Sequence, residues 1–143
     1  MQTTTRKTII NNLKKDLEEH LNSSEGYNTD VAEVRSGIYM WEDFKVKPAI
    51  SIWAYEDEIE EYLMGRNKIR LLSIYLYAFA KTDIISNNNV IYDFMEDIEN
   101  FLESSHFTYY EDVIIGKTMV YTGGSQDQAA IGLLEIQVRY NQT

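Results

Sequence analysis

Cysteine is absent from this 143-residue chain, which removes disulfides, thiolate nucleophiles and sulfur-ligated metals together. That agrees with a reducing compartment. Proline occurs once and glycine seven times, a pattern that suits a folded chain and not a disordered one. No apolar run approaches the roughly 20 residues needed to span a bilayer. Met1-Gln-Thr-Thr-Thr-Arg-Lys7 is not followed by the apolar core of a secretory signal, so a cytoplasmic origin is expected. Histidine is nearly missing too, with His20 and His106 alone.

Positive charge is scarce and unevenly placed. The net charge is -10, and beyond position 82 the only basic side chains are Lys117 and Arg139. Nucleic-acid binding without sequence preference draws on lysines and arginines that neutralise phosphates, so tight wrapping of DNA or RNA is disfavoured. A surface past which DNA must move without sticking is compatible with this charge, and so is ordinary solubility.

What is present is pattern. With 44% hydrophobic and 25% charged residues over 143 positions, one domain spanning residues 1–143 can bury a substantial core. Ile10, Leu13, Leu17 and Leu21 fall at helical spacing, which predicts an amphipathic helix over residues 6–21. Asn22-Ser-Ser-Glu-Gly-Tyr-Asn-Thr-Asp30 reads as turns, with Gly26 free to take a positive φ. Val31 to Gly37 is a loop or a short strand. A strand is expected over Ala49–Tyr55 directly after Pro48, because a proline at a strand's start lacks no ladder donor. Glu56 to Gly65 is acidic and reads as a solvent-exposed excursion with at most one helical turn.

Residues 68–80 alternate most strongly. Ile74, Leu76 and Ala78 share one face and Ser73, Tyr75, Tyr77 and Phe79 the other, predicting a central strand covered on both sides. A second helix is expected over 90–103, with Ile91, Phe94, Met95, Ile98, Phe101 and Leu102 as its apolar stripe. Its opposite face would carry Asp93, Glu96, Asp97 and Glu103. Strand-like pieces follow between Phe107 and Tyr121, then a polar hairpin loop from Thr122. In the last strand Leu134, Ile136, Val138 and Tyr140 line one face. The sum is an α+β fold: a mixed, mainly antiparallel sheet with two helices packed on one face, one strand pair being parallel if the second helix is a crossover.

Chemistry is hard to find. His20 sits where an imidazolium suits the carbonyls at a helix end. His106 has Ser104 and Asp112 as sequence neighbours, yet no nucleophile-elbow glycines frame a serine. Glu56, Asp57, Glu58, Glu60 and Glu61 lack the spacing and central glycine of a calcium loop. Gly123-Gly124 has no following lysine and no dinucleotide fingerprint. No catalytic residue, metal or cofactor is therefore expected.

Aromatics are abundant, with eleven tyrosines, five phenylalanines and two tryptophans. Tyr39, Trp41, Phe44, Trp53, Tyr55, Tyr75 and Tyr77 cluster in the strands and the segment before them. Such rings serve either subunit interfaces or an aromatic-rich core. The candidate interface drawn from them, with the polar loop added, is Tyr39, Trp41, Phe44, Trp53, Tyr55, Thr122, Gly123, Gly124 and Gln126.

The layout resembles the tail terminator proteins of long-tailed bacteriophages. The likeness is carried by the first helix followed by Gly26-Tyr-Asn-Thr-Asp-Val31, the Pro48-to-Tyr55 and Ile69-to-Phe79 strands, the Val90-to-Leu102 helix, and the closing pair from Tyr121-Thr-Gly-Gly124 to Tyr140. Other head-tail joining or neck proteins share this layout. The resemblance implies a non-enzymatic virion protein, assembled in the host cytoplasm, that forms a homo-oligomeric, hexameric ring on the tail tube. It would end tube growth and join the head connector, while genomic DNA passes through the ring without specific binding and no membrane is involved. The acidic set Asp93, Glu96, Asp97 and Glu103 would then be a lumen face.

Overall fold

The computed structural model describes residues 4–81, 89–104, 112–122 and 129–142. In chain order the elements are α1 (Arg6–His20), β1 (Glu33–Ser36), β2 (Ala49–Tyr62), β3 (Lys68–Lys81), α2 (Asn89–Leu102), β4 (Asp112–Thr122) and β5 (Ala129–Gln142), with short 3-10 turns at Ser23–Glu25 and Trp41–Asp43. The strands form one sheet in the order β1-β2-β3-β5-β4. Only β1 and β2 are parallel neighbours. The fold is thus α+β on a mixed, mainly antiparallel sheet.

α1 begins because Thr5 is an extended N-cap whose hydroxyl accepts from Thr8 N at 3.2 Å, satisfying one of the helix's orphan donors. It buries Ile9, Leu13, Leu17 and the following Leu21, four residues apart each time, while Ile10 packs at the margin. The turn after it holds itself together. Asn22 Oδ1 accepts from Glu25 N at 3.2 Å, Gly26 takes φ +93°, and Asp30 Oδ1 accepts from Ser23 N at 2.7 Å. That last bond holds the Asp30 carboxyl below the usual carboxylate range.

β3 is the centre of the sheet, as its alternation predicted. It pairs β2 on one side and β5 on the other, from Lys68↔Gln142 to Lys81↔Ala129. Its residues Leu72, Ile74, Leu76, Ala78 and Ala80 join Ile50, Ile52, Leu134, Ile136 and Val138 and the apolar stripes of both helices in one buried cluster. Burial of this kind contributes roughly 25 cal/mol per Å² of apolar surface.

Two expectations are corrected. Glu56 to Tyr62 is no excursion: β2 runs on through it, paired to β3 as far as Tyr62↔Lys68. The register shifts between Ala54 and Glu56 and again between Ile59 and Glu61. Each bulge inverts the inside-outside pattern, which is why the run of acids hides the strand. Nor does the α2 crossover create a parallel neighbour. β3 and β4 both run antiparallel to β5, which lies between them. The parallel pair arises instead where the aromatic segment 37–48 links β1 to β2.

Candidate interaction surface

The odd-numbered residues of β3 point away from the large core and build a second surface. Trp53 lies directly across from Tyr75, and Ser51 from Tyr77. Tyr55, two residues on, shares this face with Trp53, and the bulge between Ala54 and Glu56 inverts the faces only after it. Its ring stacks on Tyr75 with centroids 4.2 Å apart and planes 14° apart. Trp53 meets Tyr75 at 5.6 Å and stacks with Tyr77 at 6.5 Å. The four rings form a continuous, half-buried aromatic strip. Tyr55 Oη donates to Glu135 Oε1 at 3.0 Å. Desolvation, then the bond to Glu135, raises the Tyr55 hydroxyl well above the ordinary tyrosine pKa.

One end of this surface is covered by the chain itself. Phe44, Ala49 and Phe79 make a second buried cluster, against which Tyr39, Trp41, Tyr77 and Ile131 pack. Ser51 pins the covering segment: its buried hydroxyl donates to Gly37 O and accepts from Tyr39 N. Lys47 donates to Phe44 O at 2.6 Å and lies 4.1 Å over the Trp41 ring. Phe44, at 1% exposure, is therefore core in the single chain and not a surface residue as expected. Tyr39 and Trp41 are half-buried flanks of that core. Trp53 and Tyr55 sit on the part left open.

Beyond the strip, β4 brings Ile114, Met119 and Tyr121 to the surface, all exposed. A cavity of about 110 Å³ opens among Tyr75, Lys117, Met119, Leu133 and Glu135. β4 is also an edge of the sheet, and β1 is the other. Thr122 ends β4 opposite Ala130; Gly123, Gly124 and Gln126 lie outside the described residues.

The acidic face of α2 is smaller than expected. Asp93, Glu96 and Glu103 are exposed, but Asp97 is turned inward at 2% exposure, where its carboxylate accepts from Asn28 Nδ2 at 3.4 Å. The turn-rich segment after α1 packs across that flank of the helix, which helical spacing alone does not reveal.

One buried polar cluster was not foreseen. The first bulge in β2 aims Asp57 into the core side, where its side chain is 3% exposed. Arg6 Nε lies 3.1 Å from Asp57 Oδ2, Tyr140 Oη donates to the same oxygen at 2.7 Å, and Arg70 Nε stands 3.8 Å from Oδ1. Burial first, and then Asp57, push the Tyr140 hydroxyl up. The signal in the sequence was Arg70, which falls in phase with Leu72 and Ile74.

Among the described residues, one group could approach a cation: Asp16, Glu19 and His20 on adjoining turns of α1, with ligand atoms within 4.8 Å of one another. His20 also contacts Glu25, Nδ1 to Oε1 3.2 Å, so it is tied to side chains at the helix end. His106 lies outside the described residues. Ser104, its proposed neighbour, donates to Phe101 O at 2.6 Å and serves the end of α2. Among the described residues, no helix is long and apolar enough to cross a membrane.

No protein-family model matches the chain, and no curated protein matches it at a significant level.

Proposed function

We propose that this protein is a structural assembly subunit, acting by contact and not by catalysis, and that its role is that of a phage tail terminator: a ring on the growing end of the tail tube that joins the tube to the head connector. The observation that carries this reading is the aromatic strip of Trp53, Tyr55, Tyr75 and Tyr77, which continues into the exposed Met119 and Tyr121. Large contiguous apolar surface on a chain this acidic marks a contact site. Tyrosine and tryptophan are the residues that such sites favour.

The fold supports the same reading. Both helices contribute to the one large core, and we place them together on the face opposite the strip, leaving it to partners. The edge strands β1 and β4 offer backbone groups that another chain can pair. Asp93, Glu96 and Glu103 with the net charge of -10 suit a lumen through which DNA moves without adhering; in a ring map with α2 on the outer rim, that assignment would be wrong. A hexamer needs a heterologous contact between different patches of successive copies. The test is imaging of tail tubes grown with and without the protein. Capped tubes of limited length are expected, and tubes that elongate unchanged would refute the role.

A further inference from the structure

A cleft of about 290 Å³ opens between α2 and the turn that follows α1, lined by Asn28, Thr29, Asp30, Pro48, Val90 and Asp93. That volume lies near the lower end of the range for small-ligand sites, roughly 300 Å³. One wall is firmly built. Tyr27 N donates to Asn22 O at 3.3 Å, Val31 N to Leu21 O at 3.1 Å and Ala32 N to Pro48 O at 2.7 Å, so the segment carrying Asn28, Thr29 and Asp30 is held on both sides.

Negative charge gathers here without a counter-charge. Asp30 and Asp93 are exposed at the cleft, and the bond from Ser23 N keeps the Asp30 carboxyl below the usual carboxylate range. Asp97 follows Asp93 by four residues and so shares its side of α2. It is 2% exposed, and its Oδ2 has no hydrogen-bond partner; Asn28 Nδ2, 3.4 Å from Oδ1, is what reaches the carboxylate. Asn28 lines the cleft, so the buried acid stands behind that wall. Among the described residues no ion pair touches any of the three acids. A buried carboxylate without a cation is costly, and neither Asp93 nor Asp97 is in the first turn of α2, where the helix dipole would offset it.

The chain around the cleft offers no cation of its own. No basic residue occurs from Thr82 to Gly116, and Lys47, next to Pro48, donates to Phe44 O. A bare metal ion is a poor match. Among the described residues Asp30, Asp93 and Asp97 do not bring three oxygens within 4.8 Å of one another, whereas calcium draws its oxygens in to about 2.4 Å. An arginine side chain matches better: its planar guanidinium spreads five donors over a fork that engages separated carboxylate oxygens, and Pro48 and Val90 give its methylene stem an apolar wall.

We infer that this cleft receives an arginine side chain of a partner protein, its guanidinium between the Asp30 and Asp93 carboxylates and reinforced by the buried Asp97 behind Asn28. The inference rests on the assembly reading only in taking the arginine from another chain. It shares no residue with the aromatic strip, and it gives Asp93 a partner while leaving Glu96 and Glu103 to the acidic face. The test is titration of the isotope-labelled chain with Nα-acetyl-arginine amide, followed through backbone amide shifts. Saturable shifts are expected at Asn28, Thr29, Asp93 and Asp97, with affinity about tenfold lower for the neutral acetyl-citrulline amide and with binding lost in the Asp93→Asn, Asp97→Asn double variant. Asp30→Asn, an exposed change that keeps an acceptor oxygen for Ser23 N, should weaken binding while melting stays that of the parent, so a folding defect at Asp97 cannot imitate the result. Equal response to the citrulline amide, shifts that survive in the double variant, or no saturation would overturn the site. Equal affinity for Nα-acetyl-lysine amide would overturn the choice of arginine, and calcium chloride that moves the same amides and excludes the arginine amide would overturn it in favour of a metal. A chain that assembles but ignores the probe loses this site alone; one that binds the probe yet keeps the mass of one chain with tail tubes present loses the assembly reading alone.

Discussion

Tyr55 lies flat on Tyr75, 4.2 Å between centroids, on the face of β2 that Trp53 occupies two residues earlier. The bulge between Ala54 and Glu56 then aims Asp57 into the core. The aromatic strip and the buried ion cluster thus adjoin along one strand, tying surface to stability.

Alkaline pH should expose that tie. Tyr55 and Tyr140 both have hydroxyl pKa values raised by burial and by a carboxylate acceptor. A group whose pKa is raised in the folded state contributes stability that is complete below its unfolded value, about 10 for tyrosine, and declines as pH rises above it. The urea midpoint should fall more steeply above about pH 10 in the parent than in the Tyr55→Phe, Tyr140→Phe double variant. Parallel pH profiles would show that neither hydroxyl is linked to folding.

Asp57 and Arg6 should separate a buried partner from an exposed one. Asp57→Ala leaves the Arg70 guanidinium, 15% exposed, without its carboxylate, and removing one member of a buried pair costs about 3–5 kcal/mol. Arg6 is 60% exposed, so Arg6→Ala should cost under about 1 kcal/mol. Equal losses in chemical denaturation would contradict this account of the cluster.

Gly132 tests the seat of α2. A Cβ at this position would fall on Met95 Sδ, and Met95 is itself buried. Gly132→Ala should destabilise by about 1–3 kcal/mol through overpacking, and Met95→Ala in the same chain should return part of that loss. Additive losses in the double variant would mean that the two do not meet.

The loop from Thr122 to Gln128 should matter to assembly more than to folding. β4 and β5 are paired from Thr122↔Ala130 downward, so replacing the loop with a two-residue hairpin turn should leave melting within a few degrees of the parent. Ring formation or docking to the tube should be impaired. Normal assembly by light scattering and electron microscopy would remove the loop from the interface.

Much of the architecture was legible because periodicity reports burial directly. Leu72 to Ala80 and Leu134 to Tyr140 alternate since one side of each strand meets the core, and the stripe from Ile91 to Leu102 gave α2 for the same reason. Glu56 to Tyr62 was misread because two bulges break the period and little of that stretch faces the core. Asp97 lies at the edge of its helical stripe, and only the packing of Asn28 decides that it turns inward. The aromatics divided in a way composition could not foretell: Phe44 closes a small core of its own, whereas Trp53 and Tyr55 remain on the open strip.

The most direct test of the central claim is the native mass of the protein, alone over a range of concentration and again with tail tubes present. Assembly through the open face predicts a species six times the 16.7 kDa chain in solution or on the tube ends, lost when Trp53 and Tyr75 are both replaced by serine in a chain that still folds. A parent that remains at the mass of one chain in both settings would contradict it.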